Sequence, residues 1–287
     1  MVHEITNGQI TAKITDIGAE LISVQNAEGY EYIWNADERF WNGHAPILFP
    51  VCGRVRDGKI LKDGIEYPMT IHGFARDLCF DKIDNTENSI TLRLASCDRT
   101  RSMYPFDFEL TVKYTLTDTL SVSFDVKNTG DEILPFTIGW HPGFMLEDGI
   151  IPTDYRVVLG KTSAKRFSVL KGGMVSRDGE HYALPDNAYT VNDEELARED
   201  TIALRDAGNE CTLTADAAKH TVGLRWSDNL PYLCIWRAPK TEAKYICLEP
   251  WSGLPSDGSR AEDYATREMN RLAGGGSEIF SYEVTFA

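Results

Sequence analysis

Four short stretches of the sequence place a titratable or cationic side chain near glycine or proline, where an apolar strand must break. They are "FPVCGRV" with Arg54, "IHGFARD" with His72 and Arg76, "GWHPGF" with His141, and "YICLEPW" with Glu249. A carboxylate and an imidazole can act as general base and general acid, and arginine can stabilise charge that develops on oxygen. Because strand ends that feed loops usually carry the sites of β proteins, these residues are the candidates for catalysis and binding.

The "YICLEPW" stretch also predicts how Glu249 is presented. Period-two alternation places Cys247 and Glu249 on one face of a strand and Leu248 on the other. Pro250 lacks a backbone donor and holds the residue before it in an extended conformation. We therefore expect Glu249 at a strand end with a rigid exit, where its carboxylate is partly buried and held still.

The elements that must position these residues are strands, because period-two alternation of apolar residues dominates the chain. It is clear in "FELTVKYTLT", "LSVSFDVKN", "SITLRLAS", "HTVGLRWS", "YLCIWRA" and "IFSYEVTF", and Asp63-Gly64 is a hairpin signal. Helical periodicity is scarce, and "ADERFW" and "NDEELARED" could each form two turns at most. Many short antiparallel strands predict a sandwich or barrel. Since no composition break marks a linker, we expect residues 1–287 to form a single all-β domain.

The charge of the chain restricts its partners. A formal net charge of −15 repels the phosphate backbone of nucleic acids. No apolar run approaches the roughly 18 residues that span a bilayer, and the first residues lack the basic and apolar regions of a secretory signal. These observations predict a cytoplasmic protein that binds neither nucleic acid nor membranes.

The cysteines and histidines show no spacing that is typical of a metal site. The six cysteines contain no C-x-x-C pair, so we expect reduced thiols that are mostly buried. The six histidines never fall in H-x-H or H-E-x-x-H spacing. The sequence therefore predicts neither a metal nor another cofactor.

Taken together, the motifs resemble the aldose 1-epimerase (galactose mutarotase) family. They are "GAELISV", "FPVCGRV", "HGFAR", "YPFDFEL", "GWHPGF" and "LEPWSG", which stand in the family's order across nearly the whole chain. The match is closest to the divergent branch that holds mutarotase-like proteins and hexose-6-phosphate mutarotases. The resemblance implies a large antiparallel β-sandwich of the supersandwich type, with a sugar in a groove across one sheet.

The resemblance also implies roles for individual residues. Glu249 matches the family's general base and His141 its general acid, while His72 and Arg54 match residues that hold the ring oxygen and hydroxyls. Asp200 in "REDTIAL" is the candidate for an aspartate that grips sugar hydroxyls. Arg76 is a further candidate for substrate binding.

Two positions depart from the founding mutarotases. Gly53 stands before Arg54 where they have an asparagine, and Gly143 follows His-Pro where they have an aromatic residue. Both differences concern the identity of the sugar more than the reaction.

The reaction that the resemblance implies suits these residue types. Interconverting α and β anomers requires removing the proton of the C1 hydroxyl while protonating the ring oxygen O5, for which a carboxylate and an imidazolium are suited. A raised pKa for Glu249 and a pKa near neutrality for His141 would keep both active at cytoplasmic pH. We expect the functional atoms of the two residues roughly 5–8 Å apart across the groove.

The leading interpretation is an isomerase that acts on a free aldohexose, and two alternatives stay open. The first is a hexose-6-phosphate mutarotase, with phosphate contacts from Arg54, Arg56 and Arg76. The second is a non-catalytic sugar-binding or sensing protein that keeps the groove. A glycosidase is less favoured because it needs two carboxylates. The sequence leaves open the sugar, its phosphorylation and the oligomeric state.

Overall fold

The computed structural model describes residues 1–170 and 172–287, in which regular structure is mostly strand. The strands of the first half are Val2–Thr6 (β1), Ile10–Thr15 (β2), Leu21–Asn26 (β3), Ile47–Leu48 (β4), Lys59–Lys62 (β5), Ile65–Pro68 (β6), Asp81–Asn85 (β7), Ser89–Ala95 (β8), Phe108–Leu116 (β9), Leu120–Asn128 (β10), Leu134–Phe136 (β11), Gly139–Trp140 (β12) and Gly143–Met145 (β13). Those of the second half are Arg156–Leu159 (β14), Ser163–Leu170 (β15), Met174–Ala183 (β16), Ala188–Thr190 (β17), Ile202–Arg205 (β18), Glu210–Thr214 (β19), Val222–Trp226 (β20), Tyr232–Trp236 (β21), Tyr245–Trp251 (β22), Asn270–Leu272 (β23) and Ser277–Phe286 (β24). The α-helices are Asp98–Arg101 (α1) and Asp193–Glu199 (α2).

Two large antiparallel sheets form the sandwich. One has nine strands in the order β17-β14-β19-β20-β24-β10-β9-β8-β7. The other has eight strands, in the order β16-β15-β18-β21-β22-β12-β4 with β13 also paired to β22. Three small sheets, β1-β2-β3, β5-β6 and β11-β23, complete the fold. The prediction of an all-β antiparallel sandwich is confirmed.

The core lies between the inner faces of the two large sheets. In β9 the alternate residues from Phe108 to Leu116 are buried, as the period-two pattern predicted. On the facing sheet, Ile246 and Leu248 of β22 belong to the same apolar cluster. Burying each side chain of this size stabilises the fold by about 1.5–3 kcal/mol relative to exposure. The other face of β22 is therefore free to build a site.

The local predictions have mixed outcomes. Asp63 and Gly64 connect β5 to β6, both with positive φ (52° and 79°), so the hairpin is confirmed. The "NDEELARED" stretch forms α2, whose N-cap Asn192 accepts a hydrogen bond from the backbone N–H of Glu195. The "ADERFW" stretch is a single turn instead of a helix, in which Asp37 O accepts from the residues at its end.

The prediction that Glu249 ends its strand is wrong. Strand β22 continues through Pro250 to Trp251, and all of its residues are buried. The pairing of β22 with β12 and β13 is instead interrupted between the pairs Gly139–Trp251 and Gly143–Cys247. Two prolines, Pro142 and Pro250, face this gap and neither can donate a backbone hydrogen bond.

The cysteines form no disulfide in the described part of the chain, which contains all of them. All of the cysteines are unpaired: Cys52, Cys211, Cys234 and Cys247 are buried, whereas Cys79 and Cys97 are exposed. This confirms the prediction of free and mostly buried thiols. Among the described residues, no helix is long and apolar enough to cross a membrane.

Candidate active site

The centre of the site is a cross-strand pair, His141 and Glu249. The backbone pairs that bracket it are Gly139 with Trp251 and Gly143 with Cys247. This register puts His141 directly opposite Glu249, with Nε2 of the imidazole 3.2 Å from Oε2 of the carboxylate. The separation is shorter than the predicted 5–8 Å, because the two residues are register partners on adjacent strands and do not face each other across a groove.

Both members of the pair are removed from solvent. Glu249 is 1% exposed and His141 is 8% exposed. The backbone N–H of His141 donates to Pro46 O on the far side of the strand, which fixes the position of the imidazole. Oε1 of Glu249 and Nδ1 of His141 are buried without a hydrogen-bond partner among the described residues. Each side chain of the pair therefore has one buried polar atom that is available for a further hydrogen bond.

His72 adds a second imidazole beside this pair. Its ring lies 5.4 Å from the His141 ring and nearly perpendicular to it, and 5.6 Å from the ring of Trp251. The backbone N–H of Gly53 donates to Nδ1 of His72, and the backbone N–H of His72 donates to Gly53 O. Since Nδ1 accepts, a neutral His72 carries its proton on Nε2 and can donate it to a ligand.

The backbone of His72 is held in the left-handed region, with φ of 65°. Residues other than glycine are uncommon there, and histidine is among the few types that are enriched, with asparagine and aspartate. The reciprocal hydrogen bonds with Gly53 hold this conformation, so the turn that precedes Gly73 aims the ring at His141. The glycine-flanked "IHGF" motif is thus explained by the geometry that His72 needs.

Burial keeps both imidazoles neutral. Burial lowers the pKa of His141 to about 3, opposed by a backbone hydrogen bond and assisted by the charge of Arg76. Burial also holds the pKa of His72 well below its usual value, with further lowering by His141, Arg76 and Arg54. The expectation of a pKa near neutrality for His141 is therefore wrong, because burial at a sheet face was not visible in the sequence.

Burial has the opposite effect on the carboxyl group. It raises the pKa of Glu249 well above the usual value, and the negative charge of Asp200 raises it further. The expected direction for Glu249 is confirmed. Burial therefore favours the neutral form of both groups, in which one proton can pass between Oε2 of Glu249 and Nε2 of His141.

A narrow cleft of about 80 Å³ lies beside the pair. Its walls include Arg54, His72, Asp200 and Trp251, and its floor includes Cys234, the register partner of Glu249 on β21. A wider outer part continues past Arg54 and Asp200 to Arg198 and Glu199. The cleft brings together three of the groups expected from the sequence, namely Arg54, His72 and Asp200, and Glu249 is the register partner of its lining residue Cys234.

Asp200 is positioned by α2, whose C-terminal cap it forms. Its backbone has φ of 64°, and its N–H donates to Leu196 O in the helix. Two arginines hold the helix: the buried Arg237 is paired with Asp193, and the half-buried Arg166 of β15 is paired with Glu195 and Glu199. The sequence did not reveal this arrangement, because the ion pairs join residues that are far apart in the chain.

The two remaining candidates, Arg54 and Arg76, differ in their position relative to the cleft. Arg54 is exposed at the rim of the cleft, where its side chain packs against Gly173. Arg76 is half-buried and lies 3.9 Å from Asp77, and it is absent from the described residues that line the cleft. Its charge nevertheless lowers the pKa of both His72 and His141, which places it close to them.

Aromatic residues that the motif analysis missed surround His141. The ring of Trp41 lies 5.0 Å from the imidazole, and that of Trp236 lies 5.8 Å from it. A β-carbon at Gly143 would meet the Trp41 ring at 2.7 Å, so glycine is required where the indole packs. The alternation in "YLCIWRA" could have revealed Trp236, whereas Trp41 ends the "ADERFW" stretch, which has no strand alternation.

One cluster at the site has atoms that could bind a metal ion. His141, Cys247 and Glu249 are all buried, and each offers a ligand atom within 4.8 Å of the others. The sequence gave little indication of it, because its only signal is the C-x-E spacing on one strand face. For an acid/base reaction these residues need no metal, since the carboxyl group and the imidazole are already in contact.

The fold and the site define an all-β protein with a buried carboxyl–imidazole pair beside a polar cleft. The sequence profile described as aldose 1-epimerase matches residues 1–257. The chain therefore belongs to the aldose 1-epimerase family, which supports a mutarotase-like function and an isomerase class of enzyme.

Individual relatives agree with this assignment. The chain is 31% identical over 278 residues to the plasmid-encoded protein LacX of Lactococcus lactis, covering 92% of each chain. A galactose mutarotase related enzyme from Lactobacillus acidophilus has a similar structure, with a TM-score of 0.93, 31% identity and coverage of 100% and 97%. A galactose mutarotase-like protein from Lactobacillus casei also has a TM-score of 0.93, with 30% identity over the whole of both chains.

Proposed function

We propose that the protein is an aldose 1-epimerase that interconverts the α and β anomers of a free aldohexose. The observation that carries this proposal is the direct contact between Glu249 and His141, buried beside a cleft lined by His72, Arg54 and Asp200. A protein that only binds a sugar has no use for a carboxyl group and an imidazole that share a proton. The proposal assigns Glu249 as general base and His141 as general acid.

Ring opening uses the form of the pair in which Glu249 is a carboxylate and His141 is an imidazolium. The Glu249 carboxylate accepts the proton of the C1 hydroxyl, the C1–O5 bond breaks, and its electrons remain on O5. His141 gives its proton to O5, which leaves an aldehyde at C1 and a hydroxyl at C5. After rotation about C1–C2, the C5 hydroxyl attacks the other face of the aldehyde and both proton transfers run in reverse.

The resting pair is already in the form that ring closure needs. Closure requires an acid for the aldehyde oxygen, which is the protonated Glu249, and a base for the C5 hydroxyl, which is the neutral His141. Opening requires the proton to move from Oε2 to Nε2 across the 3.2 Å contact. No proton has to be exchanged with solvent in either direction, which suits a pair that is almost fully buried.

The surrounding polar groups orient the sugar. His72 can donate from Nε2, because its Nδ1 accepts from Gly53. Arg54 can donate to hydroxyl or ring oxygens from the rim, and Asp200 can accept from hydroxyl groups at the opposite wall. Trp251 offers an apolar face beside His72 for the carbon skeleton of the ring.

The charges of the outer cleft favour a free sugar over a sugar phosphate. Arg54 and Arg198 are matched there by Glu199 and Asp200, so the cleft has no excess of positive charge. The other arginine suggested for phosphate binding, Arg56, lies 3.4 Å from the carboxylate of Asp57. A dianionic phosphate is better accommodated where arginines are not already balanced by carboxylates.

The test is anomer exchange measured by NMR for glucose, galactose and their 6-phosphates in parallel. The wild-type protein should accelerate exchange of a free hexose above the rate in buffer, and Glu249→Gln should abolish the acceleration. Glu66→Gln, on an exposed hairpin strand, is the matched control and should leave it unchanged. Acceleration of the 6-phosphates alone would favour the phosphate alternative, and no acceleration of any sugar would favour the binding-only alternative.

A further inference from the structure

A set of three metal-ligating side chains lies at the base of the site. Nitrogen of His141, sulfur of Cys247 and oxygen of Glu249 are within 4.8 Å of one another, and all of these residues are buried. Cys247 and Glu249 are two apart on the same face of β22, and His141 is the register partner of Glu249. The backbone of two paired strands thus holds all of the side chains in place.

The atoms of this cluster are not saturated by other contacts. Oε1 of Glu249 and Nδ1 of His141 are buried and have no hydrogen-bond partner among the described residues. A buried polar atom without a partner carries a desolvation penalty that a bound ion can relieve. Cys234, which lines the cleft, is the register partner of Glu249, so the cleft reaches the strand beside the cluster.

We infer that His141, Cys247 and Glu249 form a site for a thiophilic divalent cation of the Zn²⁺ class, and that the bound cation blocks the acid/base pair. Imidazole, thiolate and carboxylate are the protein ligands that Zn²⁺ prefers. Tetrahedral coordination at 2.0–2.3 Å places ligand atoms roughly 3.3–3.8 Å apart. The cluster reaches that spacing by a contraction of roughly 1 Å, with water from the cleft as the fourth ligand.

The site competes with protons. Thiolate and carboxylate are the forms that bind a cation, so protons held by the thiol and the carboxyl group leave when the cation binds. The other titratable groups around the cluster are His72, Arg76, Cys52, Cys234, Tyr245 and Asp200. Affinity for the cation should therefore rise with pH.

Cadmium is the probe, because a thiolate bound to Cd²⁺ has a charge-transfer absorption in the ultraviolet. The background is the Cys79→Ser/Cys97→Ser protein, which removes the two exposed thiols. One equivalent of Cd²⁺ should produce the absorption in this protein. Cys247→Ser should eliminate the absorption and weaken binding by at least the roughly 10- to 100-fold known for lost outer-shell partners.

Cys234→Ser is the matched control. Cys234 is also a buried cysteine facing the site, on the strand beside Glu249, but it is not one of the three ligands. It should keep both the absorption and the affinity. Absorption that persists in Cys247→Ser, or that is lost equally in Cys234→Ser, would overturn the assignment. If circular dichroism shows that Cys247→Ser does not fold, His141→Asn is titrated with Cd²⁺ in its place. This variant should bind Cd²⁺ more weakly than the parent protein, and unchanged affinity would overturn the assignment.

The inhibition part of the inference rests on the proposed function and has its own readout. Zn²⁺ should stop anomer exchange, a chelator should restore it, and Cys247→Ser should require at least about tenfold more Zn²⁺. An enzyme that is active with chelator and indifferent to Zn²⁺ would contradict the inference. A protein that binds Cd²⁺ through Cys247 but never exchanges anomers would contradict the proposed function alone.

Discussion

His141 and Glu249 occupy the same register position on neighbouring antiparallel strands, and Nε2 of one lies 3.2 Å from Oε2 of the other. The side chains that we propose as general acid and general base are thus in direct contact. Because burial favours the neutral form of both, we expect the pair to titrate as one unit.

Removing either member of the pair should stop catalysis without preventing binding. Glu249→Gln keeps the shape and hydrogen-bonding capacity of the side chain but cannot accept the C1 proton, so turnover should fall by at least about 10²-fold. His141→Asn should have a similar effect. The double variant should be little slower than either single variant, since the residues act together. Additive losses measured by NMR exchange would show that the two groups work independently.

Activity should fall as the pH rises through the raised pKa of Glu249. The reaction needs one proton on the pair, and above that pKa the proton is lost and nothing can protonate O5. Because the charge of Asp200 helps to raise the pKa of Glu249, Asp200→Asn should move the alkaline limb of the kcat profile to lower pH. Asp228→Asn, on an exposed turn, is the control and should leave the limb in place. If the alkaline limb of the kcat profile stays at the same pH in Asp200→Asn, the charge of Asp200 does not control the pKa of Glu249.

Acid should destabilise the fold through the buried imidazole. The pKa of His141 is about 3 in the folded chain, below its usual value near 6.5, so the unfolded state binds the extra proton first. The stabilisation is present above pH 6.5 and is lost as the pH falls toward 3. His141→Asn should therefore lose less stability than the wild type over this range in thermal or urea unfolding. Parallel stability curves for the two proteins would contradict the proposed burial of a neutral imidazole.

Truncating Arg54 should weaken sugar binding and lower kcat/KM together. Its guanidinium lines the rim of the cleft, so its contacts with the sugar are made both before and during ring opening. Arg54→Ala should raise KM and lower kcat/KM by about tenfold or more, as expected for the loss of a charge-assisted hydrogen bond. Arg205→Ala, which removes an exposed arginine at the end of β18, is the control. A change in kcat with KM unaltered would assign Arg54 to the chemical step instead.

Adding a methyl group at Gly143 should disturb the cover over His141. An alanine β-carbon there would lie 2.7 Å from the Trp41 ring and 3.1 Å from the Trp34 side chain. Overpacking of this kind destabilises by about 1–3 kcal/mol. Gly160→Ala is the control, because the nearest atom to its β-carbon is at 3.5 Å. Shortening Trp41 to Phe in the Gly143→Ala protein should restore part of the lost stability in thermal unfolding, and no restoration would exclude this contact as the cause.

Much of the fold was predictable because strand alternation is a local property. The alternating run in β9 identified its buried face, and "YICLEPW" correctly placed Cys247 and Glu249 on the face opposite Leu248. The end of β22 was misjudged, since a proline was read as a stop. In the fold the neighbouring strand is interrupted at the same level, so Pro250 is accommodated within the strand.

By itself the sequence determined the sandwich and, through family motifs, the candidate residues of the site and their chemical types. Only the tertiary structure decided how they are combined. The register between β22 and its neighbours put His141 in contact with Glu249, and burial at the sheet face then set the direction of both pKa shifts. Pairing register and burial depend on strands that are distant along the chain, and local spacing carries no information about either.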